Sequence, residues 1–144
     1  MLKNVDKLLT GDLLKVLCDM GHGDELVIAD ANFPADALAS RLIRLPGIDG
    51  VRVAEAVLSV FPLDTYSSPA FIMDMTEGDK QSMPEPEIWK DYERLTGGVE
   101  KLERYEFYER AKKAYAVIAT GEERQYGNLI LVKGVVLGFV KYFV

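Results

Sequence analysis

Five short apolar runs limit what this chain can fold into: Leu26-Val27-Ile28-Ala29, Leu42 to Leu45, Phe71-Ile72-Met73, Tyr115 to Ala119 and Leu129 to Val132. Each is short for a helix and bounded by turn or polar residues, so each reads as a strand, and most as buried ones. Helical stretches lie between them. Thr10 caps a first helix with Asp12 in its opening turn and Leu13, Leu14, Leu17 and Cys18 on one face, ended by Gly21. Asp49 caps a second, in which Val53, Val57 and Val60 face one way until Pro62. Pro86 starts a third, carrying Trp89, Tyr92 and Leu95 and closed by Gly97-Gly98. Val99 to Arg104 reads as a further strand and Glu106 to Ala114 as a helix, while the polar stretch Glu77 to Pro86, with Pro84 and Pro86, reads as a mobile loop. Strands alternating with helices specify an α/β layered domain.

The length of 144 residues fits one domain, 1–144, large enough to bury roughly two thirds of its unfolded surface. With 17 Lys and Arg against 23 Asp and Glu, the net charge is −6. Such an acidic surface repels phosphate backbones, which argues against a nucleic-acid partner and leaves a neutral small molecule open. Cys18 is the one cysteine, so no intrachain disulfide and no Cys-rich zinc site can form. The opening residues lack the apolar core of a signal peptide. Leu129 to Val144 is largely apolar, but Lys133 and Lys141 interrupt it and it falls short of the ~20 residues a membrane helix needs. Two buried strands or a subunit contact explain it better. The chain reads as soluble, cytoplasmic and without a membrane partner.

The one histidine, His22, stands between Gly21 and Gly23. It reads either as a surface turn after a helix or as a proton-transfer residue, since histidine titrates near neutral pH. Asp30 favours the second reading, because it follows a strand, and ligands gather at strand carboxyl ends in α/β domains. A lone histidine without a second cysteine does not make a transition-metal site.

A second polar concentration is Glu122 to Asn128, read as a hairpin-like loop with solvated charges. Within it, Tyr126 and Asn128 differ in kind, since a phenol and a primary amide both hydrogen-bond sugar hydroxyls. Arg104, near the end of a predicted strand, offers five donors for the same purpose or a surface salt bridge. Trp89, Tyr92 and Tyr105 either stack on a sugar or pack in a core or interface. No P-loop, Rossmann glycine fingerprint or Gly-x-Ser-x-Gly elbow is present. The residues alone lead to a small acidic α/β protein with one candidate acid–base histidine.

Longer stretches carry more. Leu13 to Leu17, Met20-Gly21-His22-Gly23-Asp24-Glu25 and Asp30-Ala31-Asn32-Phe33-Pro34-Ala35 closely resemble the L-fucose mutarotase family. Phe107-Tyr108-Glu109-Arg110-Ala111-Lys112-Lys113-Ala114, Thr120-Gly121-Glu122 and Tyr126-Gly127-Asn128 resemble it independently and in the same order. The similarity reaches about Gly134 and is weakest between Gly47 and Gly98, and residues 135–144 form an atypical C-terminal extension. The sister group, D-ribose pyranase, shares the Gly-His and Asp spacing, whereas Gly23, Asn32-Phe33-Pro34 and Phe107 to Arg110 favour the fucose branch.

The resemblance implies a single three-layer α/β/α domain with a mixed β-sheet, the fold of the RbsD/FucU group. It implies an isomerase that exchanges the α and β anomers of L-fucopyranose by acid–base assisted ring opening in fucose utilisation. His22 falls on the family's proton donor, and Asp30, Arg104, Tyr126, Gly127 and Asn128 fall on its substrate-binding positions. Asp30 would accept sugar hydroxyls or orient the imidazole, and Gly127 would offer a backbone contact where a side chain blocks approach. No metal or other cofactor is required. Bacterial members assemble as ring-like decamers, so a homo-oligomer is expected, a decamer with the Tyr126 loop reaching a neighbour's His22. The alternatives are D-ribose pyranase activity, exchanging pyranose and furanose rings, and a non-catalytic monosaccharide-binding protein.

Overall fold

The computed structural model of the chain describes residues 1–137. Its first half runs α1 (Gly11–Asp19), β1 (Glu25–Ala29), α2 (Ala35–Leu38), β2 (Leu42–Leu45), α3 (Gly50–Leu58) and β3 (Ala70–Met73). The second half continues α4 (Glu77–Ser82), α5 (Ile88–Thr96), β4 (Glu100–Leu102), α6 (Arg104–Lys113), β5 (Ala116–Thr120) and β6 (Leu129–Val132). The strands form one sheet in the order β2-β5-β1-β6-β3-β4. β1 pairs with β5, β2 with β5 and β3 with β4 in parallel, whereas β6 runs antiparallel to both β1 and β3. Five strands therefore point one way and β6 alone points back, which makes the sheet mixed.

Side chains alternate across the strands and divide the core in two. Leu26, Ile28, Ile72, Ile118, Leu129 and Leu131 pack on one face against α1, α3 and α5. Val27, Ala29, Phe71, Met73, Val117 and Ile130 pack on the other against α2 and α6, through Ala35, Phe107 and Ala111. Helices on both faces of a mixed sheet give the three-layer α/β/α architecture. No helix among the described residues is long and apolar enough to cross a membrane.

Local chemistry explains where elements start. The Thr10 side chain accepts from the Leu13 amide and that of Asp49 from the Arg52 amide, so both expected caps form. Val60 lies past the end of α3 and is exposed.

Several expectations are corrected. Glu77–Pro86 is not one loop, because Thr76 caps α4 by accepting from the Asp79 amide, and Lys80 ties Glu77 to Asp74. Both prolines follow that helix. Arg104 does not end a strand but opens α6, since the Glu103 side chain accepts from the amides of Tyr105 and Glu106 and starts the helix there. The 121–128 loop is not a hairpin, because β5 and β6 flank β1 and do not pair with each other. Its charges are not all solvated either: Glu122 is buried, accepts from the Gly50 amide and is paired with Arg124. Trp89 and Tyr92 belong to the core. Among the described residues of the apolar C-terminal stretch, Leu129–Val132 is a strand, and the expected extension at 135–144 falls largely on residues 138–144, outside the described residues.

Candidate active site

The crossover from β5 to β6 must pass over the carboxyl end of β1, and that path builds one rim of the molecule. Asp30 follows β1, Arg104 follows β4 and opens α6, and Tyr126, Gly127 and Asn128 precede β6. Because β6 is reversed, its start lies beside the carboxyl ends of its neighbours, with Leu129 opposite Ile28.

Hydrogen bonds lock the loop onto Asp30. The Asp30 amide donates to the Asn128 side-chain oxygen at 2.8 Å, and the Gly127 amide donates to Asp30 Oδ2 at 3.2 Å. Asn32 donates its amide to Asp30 Oδ1 at 3.1 Å. Asp30 is only 6% exposed, and burial raises its pKa against the opposing pull of these donors. The Gly127 carbonyl accepts from the Tyr92 hydroxyl at 3.0 Å. A Cβ at Gly127 would come to 3.0 Å from the Glu122 side chain, so its smallness serves the packing of the loop on Glu122. Burial works to raise the Glu122 carboxyl, but the bonds from Arg124 and Gly50 outweigh it and hold the group below its usual range.

Tyr126 has a left-handed backbone, φ 60°, uncommon for a residue with a side chain. Three contacts hold it there: its carbonyl accepts from the Trp89 indole at 3.0 Å, its hydroxyl accepts from the Thr76 amide at 3.2 Å, and that hydroxyl donates to Asp79. α4 is thereby fastened beside the rim. Arg104 donates to the Tyr105 hydroxyl at 2.7 Å, with its guanidinium over the Tyr105 ring.

A pocket of about 320 Å³ opens here, lined by Asp30, Arg104, Tyr126 and Asn128 together with Asn32, Phe33, Met73, Tyr108 and Gln125. Those last five extend the lining beyond the residues expected there. Phe33, Met73 and Tyr108 add apolar surface to the polar lining, so the pocket offers a small molecule both kinds of contact. Gly127 acts behind this lining.

His22 is elsewhere. It precedes β1, while Asp30 follows it, and a five-residue strand spans roughly 16 Å. At this opposite rim His22 Nε2 lies 3.1 Å from Asp64 Oδ1, and the His22 ring lies 5.3 Å from that of Tyr66. Asp64 also accepts from the Tyr66 amide at 3.2 Å and the Ser67 hydroxyl at 2.9 Å. The bond to His22, with these two, holds the Asp64 carboxyl down at about 2. The group that orients the imidazole is therefore Asp64 and not Asp30, because β1 separates Asp30 from the ring. Nothing in the local sequence marks Asp64; sheet pairing at Leu63 and Lys133 brings it to His22.

The imidazole–carboxylate pair and the polar pocket lie on opposite rims, and the chain that carries them has a family match. Residues 3–136 match the RbsD / FucU transport protein family. The chain belongs to this family. The fucose mutarotase of Mus musculus is 50% identical over 143 residues, spanning 92% of this chain and 94% of that protein. A crystal structure of the Streptococcus pneumoniae fucose mutarotase in complex with L-fucose superposes with a TM-score of 0.88 at 42% identity, covering 94% of this chain and all of that one. Bacillus subtilis RbsD complexed with D-ribose is more distant, at 0.73 and 29% identity over 95% of this chain. The RbsD/FucU fold expected from the sequence is the fold observed.

Proposed function

We propose that this protein is an L-fucose mutarotase, an isomerase that exchanges the α and β anomers of L-fucopyranose. The observation that carries the reading is the pocket at the carboxyl rim. There Asp30, Asn128 and Arg104 offer acceptors and donors in one lining with the apolar surface of Phe33, Met73 and Tyr108. A 6-deoxy sugar presents the matching pair of surfaces, hydroxyls on one part and a methyl group on another. The likeness to fucose mutarotases, stronger in identity and superposition than the likeness to RbsD, supports the same substrate.

Mutarotation needs a base to take the anomeric hydroxyl proton and an acid to protonate the ring oxygen. The ring opens, the aldehyde rotates, and closure occurs on the other face. His22 serves as the proton donor. It does so as the imidazolium, with Nε2–H held by the Asp64 carboxylate: Nδ1–H gives its proton to the ring oxygen while water takes the anomeric hydroxyl proton, and the reverse transfers on closure restore both. Asp30 and Asn128 hold hydroxyls, Gly127 fixes Asp30 by its amide, and Arg104 and Tyr126 close the mouth. Acid–base assistance of this kind contributes ~10²–10⁴-fold, enough for a reaction that already proceeds in water, and requires no metal or other cofactor.

The distance between the rims supports an assembled enzyme. A sugar seated on Asp30 cannot touch the same chain's His22, so the site is completed by a neighbour's His22 beside the Tyr126 loop. Joining unlike surfaces head to tail generates a ring when the rotation closes. The reading is a homodecamer built of such rings, working in the cytoplasm in fucose utilisation. Exposed Tyr66, Tyr105 and Val136 supply apolar surface for such contacts.

The test is saturation-transfer NMR on the anomeric protons of L-fucose, with wild type and His22→Gln side by side. Exchange accelerated by wild type and lost in the variant supports the assignment. Acceleration with D-ribose alone would replace it by ribose pyranase activity, and fucose binding without acceleration by a non-catalytic sugar-binding role.

A further inference from the structure

We propose that Lys133 is a positioning residue for the His22–Asp64 pair, a role that rests on the catalytic reading of His22 given above. The Lys133 ammonium donates to the carbonyls of Leu17 at 2.7 Å and Met20 at 2.5 Å. These acceptors belong to the last turn of α1 and its cap, where carbonyls lack helical partners and a cation is favoured. Lys133 thus pins the chain immediately before Gly21-His22-Gly23.

Its main chain pins the other side of that turn. The Lys133 carbonyl accepts from the Gly23 amide at 2.8 Å, and the Lys133 amide donates to the Asp24 carbonyl at 2.9 Å. His22 is therefore held before and after by one residue. The same residue bridges Leu63 across the sheet edge, so the strand end that carries the His22 turn also carries Asp64. The neighbouring Asp64 amide donates to the Val132 carbonyl at 3.0 Å and the Gly134 amide to the Pro62 carbonyl at 2.8 Å. Gly134 makes this approach possible, since a Cβ there would stand 2.4 Å from the Leu63 carbonyl oxygen and 2.9 Å from Asp64 Cα. His22 and Asp64 lie 42 residues apart in sequence, and their 3.1 Å contact is set by how both segments lie on Lys133-Gly134.

Lys133 touches neither the pocket lining nor the imidazole, so it acts through His22. Misplacing a reacting group by about 1 Å costs up to ~10²-fold in rate. His22 is the sole histidine, so its ring resonances are assigned without ambiguity and, with Tyr66 alongside, report its placement directly.

The experiment compares wild type, Lys133→Met, Lys133→Arg and Asp64→Asn at equal oligomeric state, reading fucose exchange kinetics and the His22 ring spectrum without sugar. Lys133→Met keeps the aliphatic stem and both main-chain bonds but removes the donor. It is expected to lower kcat ~10-fold or more with KM nearly unchanged, and to move the His22 ring resonances away from wild type as Asp64→Asn does. Lys133→Arg, which restores donors to the α1 carbonyls, is expected to recover most of both. A folded Lys133→Met with unaltered His22 resonances overturns the proposal, whether or not its activity falls. Should that variant not fold, Gly134→Ala tests the same support by displacing Leu63-Asp64, and unaltered His22 resonances and rate there overturn it equally. Absence of fucose exchange by wild type would defeat the catalytic reading, and the ring spectra would still decide whether Lys133 positions His22.

Discussion

His22 and Asp30 stand at the two ends of one five-residue strand, β1, and face opposite rims of the sheet. In the proposed reaction, a histidine and a carboxylate separated in this way act together only across a subunit contact. His22→Gln and Asp30→Asn subunits, each inactive alone, are expected to complement after dissociation and co-assembly. Random mixing in equal amounts should restore about a quarter of wild-type activity, because one site in four then draws both intact residues from neighbours. Fucose exchange by the reassembled mixture is the measurement, and no recovery at all would count against shared sites.

Removing the charge from Asp64 should separate binding from chemistry. Asp64→Asn keeps a hydrogen-bonding group beside His22 Nε2 but no longer stabilises the imidazolium. The expected result is a kcat lower by ~10–10²-fold with KM within about twofold, read by anomeric exchange at several fucose concentrations. A KM rise with unchanged kcat would instead make Asp64 a sugar-binding residue.

Acid stability has a defined window. Arg52 binds Asp6 through two bonds of 2.8 Å and holds its carboxyl at about 2, the value also reached by Asp64 beside His22. Both groups sit below the ordinary aspartate value of 3.8, so on acidification the unfolded chain takes up these protons first. Their stabilisation is complete above about pH 4 and disappears as pH falls through about 2. Melting temperature should drop across that interval, and Asp6→Asn should flatten the drop while lowering stability at neutral pH.

Tyr126→Phe removes the hydroxyl that receives the Thr76 amide and donates to Asp79. α4 buries none of its residues, and besides this hydroxyl the Lys80–Asp74 ion pair is what ties it to the strand before it. Amide exchange over residues 76–83 should accelerate in this variant while β1 and β5 keep their protection. Equal exchange in the two proteins would show that α4 is held by other contacts.

Packing predicts a contrast between two apolar residues. Ile28, fully buried in β1, should lose roughly 2–5 kcal/mol of stability on substitution by Ala. Val60→Ala should stay within about 0.5 kcal/mol, since Val60 is 44% exposed beyond the end of α3. Urea denaturation of both variants provides the comparison.

The strands were legible because their apolar runs are short and bounded by turn residues; Leu42–Leu45 and Leu129–Val132 coincide with the expected limits. The Thr10 and Asp49 caps were legible because one side chain and one amide settle each. α4 was not, since its helix rests on Thr76 and on Lys80 pairing back to Asp74, while prolines just beyond its end dominate the local signal. α2 is four residues long and carries no periodicity to read. In the site, Asp30 and the Tyr126–Asn128 loop could be picked out, but their union depends on the loop crossing β1, a matter of topology. Asp64 was invisible for the same reason: its partner is 42 residues away, and only the pairing of Leu63 with Lys133 brings them together.

The reversed strand β6 has a bearing on how the molecule comes into being. It is the last strand in the described sequence, yet it lies between β1 and β3 and joins β2-β5-β1 to β3-β4. During synthesis the two half-sheets have no common strand until Leu129–Val132 leaves the ribosome, and until then the edges of β1 and β3 are open to pairing with other chains. A nascent chain halted before Leu129 would therefore be the aggregation-prone species, and completion of these four residues is the event that closes the sheet.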